Sequence, residues 1–146
     1  MRPLPAFAAA LAGLALPACQ ADPVLGVETA SIVVNPAPGR PAAGYFVLKG
    51  GPVDEVLEFA SVPYAGRTEM HETVSVNGAM TMRAIERVPV PARSTVRFEP
   101  GGRHLMIYGL SPSALKEGRT QIVLRFSDGS QAFYRAFVRT QGQAIE

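Results

Sequence analysis

A chain of 146 residues, 47% hydrophobic and 18% charged, has the length of one domain and can bury a core, while 14 glycines and 13 prolines interrupt it too often for long helices. The formal charge is +2, and its twelve arginines are spread singly along the sequence, which names no nucleic-acid partner. Two histidines, one cysteine and five methionines exclude a cysteine-based zinc site, an iron–sulfur cluster and a disulfide framework within one chain.

Residues 4–16 form a short apolar run behind Arg2 and are followed by small residues, the pattern of a secretory signal peptide. A spanning helix needs about 20 apolar residues, and this run is framed by Pro3, Pro5 and Pro17 and closed by Gln20 and Asp22. Cleavage after Ala21 leaves a domain of residues 22–146. Alternatively, Leu16-Pro17-Ala18-Cys19 resembles the bacterial lipobox, although Pro17 is unusual in it; residues 1–18 are then the signal and Cys19 is the lipidated first residue. On both readings the cysteine serves export, so an oxidising compartment poses no disulfide problem.

Beyond the signal, apolar and β-branched segments alternate with turn chemistry. Strands are expected near 24–34, 43–50, 54–61, 67–76, 79–88, 94–99, 104–109, 120–127 and 130–139, with one helical turn at Ser111–Lys116. Gly-Pro punctuation and this spacing point to an all-β fold, a Greek-key barrel or sandwich. Tyr45, Phe46, Phe126, Phe133, Tyr134 and Phe137 are expected in its core, with Arg125, Arg135 and Arg139 on an exposed strand face.

Asn77-Gly78 and Asp128-Gly129 are the strongest hairpin signals, because a type I′ turn needs positive φ at both central residues. If Asn77 and Gly78 are the loop, Val76 faces Ala79, Ser75 faces Met80, Thr73 faces Met82 and His71 faces Ala84. Directly opposed side chains share a face, as do positions two apart. His71, Thr73, Met80 and Met82 then lie together, His71 and Met82 as diagonal neighbours about 7 Å apart, while Met70 points the other way into packing.

Without Met1, all four remaining methionines and both histidines fall in the window 70–106. Strand parity puts His104 and Met106 on one face, as the hairpin does for His71 and Met82. Brought together across a barrel, the two pairs make an N₂S₂ set of neutral donors, which suits Cu(I) better than zinc, magnesium or calcium. Met is also a common core filler, so any one of these residues alone carries little weight. Glu69, Glu72, Arg83 and Arg103 beside them are expected as solvated strand charges.

The spacing His71-x10-Met82-x21-His104-x-Met106 resembles the H-x10-M-x21-H-x-M pattern of periplasmic PCu(A)C copper chaperones. Glu69-Met70-His71-Glu72, Gly78-Ala79-Met80-Thr81-Met82-Arg83 and Pro100-Gly101-Gly102-Arg103-His104-Leu105-Met106 carry the likeness, which extends from about residue 24 to residue 139. The resemblance implies a cupredoxin-like β-barrel, a monomer in the periplasm, holding one Cu(I) through His71, Met82, His104 and Met106. It further implies delivery toward the dinuclear copper centre of cytochrome c oxidase, with or alongside Sco-type thiol proteins. Some family members carry a His- and Met-rich tail for a second copper; Thr140–Glu146 has neither residue, so one site is expected. A scavenger or storage protein with the same site is the alternative. A blue-copper protein would need a Cys thiolate, and no nucleophile elbow suggests an enzyme.

Overall fold

The computed structural model describes residues 22–142. Residues 1–21, where the expected export signal and Cys19 fall, and residues 143–146 lie outside the described residues. Ten strands and one short helix follow in the order β1 (Gly26–Val34), β2 (Ala42–Lys49), β3 (Glu55–Ser61), β4 (Arg67–Val76), β5 (Ala79–Ala84), β6 (Val88–Val90), β7 (Thr95–Phe98), β8 (Arg103–Tyr108), α1 (Pro112–Glu117), β9 (Arg119–Phe126) and β10 (Gln131–Thr140). The all-β class expected from the sequence is the observed one.

The strands form one hydrogen-bonded sheet of order β5-β4-β8-β7-β2-β1-β10-β9-β3-β6, with β8 also pairing β2. Alternation does the sorting. Every second residue of β2, Ala42, Gly44, Phe46 and Leu48, is buried, and so are Ile122, Leu124 and Phe126 of β9. Phe46 and Phe98 stack with ring centroids 4.2 Å apart at the centre of a core whose buried apolar members run from Ala30 to Val138.

The sequence-expected strand 79–88 divides in two. Pairing of β5 with β4 ends at Ala84 opposite His71, the Ile85 N–H donates to the Met70 carbonyl at 2.9 Å, and the chain crosses to pair β6 with β3. Two strands at opposite ends of the sheet order are thereby linked by residues 85–87, and an ion pair from Arg87 to Glu58 of β3, at 2.7 Å, pins the crossing. The sheet curls until β3 stands near β4, leaving between them a cleft of about 400 Å³ lined by Glu58, Phe59, Glu69, Met70 and Ile85.

Two further expectations are corrected. Phe133 and Phe137 are not core: β10 turns Ala136 and Val138 inward and leaves these rings 62% and 67% exposed. Tyr45 and Tyr134 are half-buried, whereas Phe46 and Phe126 are buried as expected. Asp128-Gly129 does not form a type I′ turn. Only Gly129 has positive φ, the Gly129 N–H donates to the Phe126 carbonyl, and Gln131 pairs with Arg125, which describes a three-residue loop closed by a left-handed glycine. The Asp128 carboxylate accepts from the Ser130 N–H at 2.8 Å and stabilises that loop instead. The helical turn at 111–116 lies within one residue of α1, capped by Ser111 at its start and left-handed Gly118 at its end.

Candidate metal centre

The β4–β5 turn has φ of 51° at Asn77 and 80° at Gly78, the type I′ pattern, and the ladder pairs His71 with Ala84, Thr73 with Met82 and Ser75 with Met80. These are the pairs expected from the turn. On the other side of β4, an antiparallel ladder with β8 sets His71 directly opposite His104 and Glu69 opposite Met106. The two pairs of donors therefore do not meet across a barrel; they lie on one face of three adjacent strands. The histidines form the middle row, with ring centroids 6.1 Å apart. Met82 stands diagonally on one side of that row and Met106 on the other.

Close approach of β2 positions this face. Gly44 pairs with Leu105, and a Cβ on it would fall 3.0 Å from Leu105 Cβ and 3.2 Å from Ile107 Cδ1. Leu105 and Ile107 fill the core beneath, so the residues alternating with them, His104 and Met106, face the other way. Met70 is likewise buried in the core, as parity requires of the neighbour of His71.

The site is graded in exposure. His104 is 6% exposed and the His71 side chain 15%, Met106 is half-buried, and Met82, on the edge strand, is 57% exposed. Of the two thioethers Met82 is the more open to a partner.

Each imidazole is held through one nitrogen. His104 Nδ1 lies 3.0 Å from the Gly102 carbonyl, which can only accept; the proton sits on Nδ1 and the lone pair on Nε2. His71 Nε2 lies 3.0 Å from Glu69 Oε2. A carboxylate accepts that proton as well, which leaves the lone pair on Nδ1, a buried atom with no hydrogen-bond partner in the protein. Glu69 is itself fixed by Arg67, whose Nε donates to Oε1 at 2.8 Å while its guanidinium carbon lies 4.2 Å over the Tyr108 ring. Orientation of an imidazole by a carboxylate or a carbonyl is the usual outer support of a metal ligand.

Among the described residues no three His, Cys, Asp or Glu side chains gather as a metal cage. The other soft donors on the face of the two histidines are the thioethers of Met82 and Met106, and imidazole with thioether makes a soft, neutral set. Of the four flanking charges, Glu72 and Arg83 are cross-strand partners in an ion pair, as surface charges often are. Glu69 is different. Its position two residues before His71 placed it on the ligand face from the start, a parity signal that the view of it as a solvated charge overlooked.

Three comparisons bear on this face. The family described as "Putative lipoprotein LpqE-like" matches residues 25–138. A Leifsonia xyli protein named "Putative lipoprotein Lxx21020" is 37% identical over 116 residues, covering 78% of this chain and 68% of its own. Among solved structures, the copper-bound PCuAC domain from PmoF2 superposes with a TM-score of 0.61 at 16% identity, over 83% of this chain and 99% of that one, a likeness of fold. The Cu(I) form of DR1885 from Deinococcus radiodurans gives a TM-score of 0.60 at 26% identity, over 79% and 78% of the two chains. The fold is that of the cupredoxin-like PCuAC domains.

Proposed function

The chain belongs to the LpqE-like family, and from that premise we propose that it is an exported copper chaperone carrying one Cu(I) on His71, Met82, His104 and Met106. The observation that supports this most is the middle row of the site: two histidines opposed in register, each with one nitrogen engaged and one lone pair unused, flanked on the same face by thioethers. Likeness to a Cu(I)-bound protein and to a copper-bound domain supports the choice of cargo.

Cu(I) is the cargo, and what it needs from a carrier is soft, neutral donors without a thiolate's grip. Half-buried His71 and buried His104 supply the fixed half of such a site, their rings held by Glu69 and the Gly102 carbonyl. Exposed Met82 supplies the labile half: its thioether leaves first, and an incoming thiolate takes its place while the histidines still hold the ion. Transfer then runs downhill to a softer, anionic receiver by stepwise exchange. The receivers we propose are the apo copper subunit that builds the dinuclear centre of cytochrome c oxidase and Sco-type thiol proteins, and the compartment is the periplasm, with Cys19 lipidated or the chain released after Ala21. Storage without delivery is the competing role for the same site.

Anaerobic Cu(I) titration against a competing chelator tests the site. Wild type is expected to bind one equivalent, and His104→Ala and Met82→Leu to bind it more weakly; undiminished binding in both variants contradicts the assignment. Loaded protein mixed with an apo oxidase copper domain or a Sco-type protein then separates delivery, seen as copper on the receiver, from storage, seen as copper retained.

A further inference from the structure

The sheet gathers on one face what the sequence scatters. On β10 the residues turned away from the core are Phe133, Arg135 and Phe137, all exposed. The neighbouring β9 sets Arg119 opposite Phe137 and Arg125 opposite Gln131. Arg125 in turn lies 5.0 Å over the ring of Phe59 on β3, itself 44% exposed. Neither β9 nor β10 contains an Asp or a Glu. Three arginines, single in a chain whose charge pattern names no anionic partner, therefore share one face with three exposed phenylalanines. Exposed rings interleaved with charge of one sign make an amphipathic face of the kind that binding uses.

We propose that this face rests on an anionic phospholipid bilayer, with the Phe59, Phe133 and Phe137 rings in the headgroup boundary and Arg119, Arg125 and Arg135 on lipid phosphates. Charge complementarity selects the occupant: guanidinium pairs bidentately with phosphate, aromatic rings favour the membrane interface, and no acidic side chain of these two strands opposes an anionic surface. Where Cys19 is lipidated, it lies seven residues before Gly26, the start of β1, a reach of at most about 25 Å. Because β1 runs parallel to β10, the start of β1 and the Phe133 end of β10 lie at the same end of the sheet, so a lipid on Cys19 would hold that end near a bilayer. In the sheet order β2 and β1 separate β10 from β8 one way round, and β9 and β3 separate it from β4 the other way, with Phe59 at the cleft beside β4; Phe133 and Phe137 can rest on a bilayer while the exposed edge strand β5 stays available to a protein receiver. The inference rests on export to a membrane-bounded compartment and not on the copper ligands.

The chain released after Ala21, residues 22–146, which carries no lipid, is sedimented with vesicles of phosphatidylcholine alone and of phosphatidylcholine with phosphatidylglycerol, at low salt. Binding to the phosphatidylglycerol vesicles and not to the others is expected, and it should weaken as salt rises. Arg119→Gln/Arg125→Gln/Arg135→Gln should lower that binding by roughly a hundredfold, about fivefold per arginine. Phe133→Ser/Phe137→Ser should lower it by roughly tenfold. Arg40→Gln/Arg97→Gln, off this face on the loop before β2 and on β7, should leave most of it. Unchanged thermal unfolding and Cu(I) binding in every variant separate a lost surface from a lost fold or a failed copper site. Equal binding to both vesicle types, or equal loss from the Arg40/Arg97 variant, overturns the proposal. So does a chain that ignores vesicles and dimerises through Phe137, which puts a second copy on the face.

Discussion

The β4–β5 and β9–β10 hairpins are both signalled by an Asx-Gly pair between alternating strands, and the fold uses them for opposite purposes. The first closes on two left-handed residues and leaves β5 at the sheet edge with all six of its residues exposed. The second closes on a three-residue loop with its strands inside the sheet, β10 between β9 and β1, burying Ile122, Leu124, Phe126, Ala136 and Val138. One hairpin is scaffold and the other presents a metal face. Edge position makes the difference: β5 has a ladder partner on one side only, so the thioethers it carries remain reachable.

That division can be broken by substitution. Leu124→Ala in the scaffold hairpin removes a fully buried side chain and should cost about 2–5 kcal/mol of stability in urea unfolding. Met82→Leu on the exposed edge should stay within about 0.5 kcal/mol while weakening Cu(I) binding. A Met82→Leu chain as unstable as Leu124→Ala would mean that β5 is structural after all. Next in size is Glu69→Leu, which keeps roughly the side-chain volume but removes the acceptor that orients His71. Cu(I) affinity is expected to fall about tenfold to a hundredfold with unfolding little changed, and nitrogen NMR of the apo chain should show the His71 proton no longer fixed on Nε2. Unaltered affinity would make Glu69 a bystander.

The two loops separate more finely. Asn77→Ala forces a Cβ-bearing residue without a polar side chain into positive φ and should cost about 1 kcal/mol, whereas Ser127→Ala, at a position without positive φ, should cost less than about 0.5 kcal/mol. Equal costs would remove the distinction between the turns. The smallest effect is alkaline. Burial raises the phenols of Tyr45 and Tyr134 above their ordinary 10.0, with Arg139 offsetting part of the rise at Tyr45. As pH rises past 10, the unfolded chain releases these protons before the folded one does. Stability should be full below pH 10 and decline above it, and Tyr134→Phe should flatten the decline.

Much of this was legible in the sequence because strand parity and turn chemistry are local. The β4–β5 register follows from Asn77-Gly78 alone, and the shared face of His104 and Met106 from their spacing. What was illegible depends on partners distant in sequence. The opposition of His71 and His104 needs the β4–β8 ladder, the break after Ala84 needs β3 to receive β6, and the exposure of Phe133 and Phe137 needs the choice of which face of β10 turns inward. The run Ala132-Phe133-Tyr134-Arg135-Ala136-Phe137 puts apolar residues on both faces of the strand and suits either until Ala136 is seen packed at the core. Glu69 was missed for a different reason: parity placed it correctly, and only its contact with His71 separates it from an ordinary surface charge.

X-ray absorption at the copper edge of the Cu(I)-loaded chain tests the central claim most directly. Two nitrogen and two sulfur scatterers are expected in the wild type, with one sulfur lost in Met82→Leu and one nitrogen lost in His104→Ala. A first shell without sulfur, or one that Met82→Leu leaves unchanged, would contradict the site.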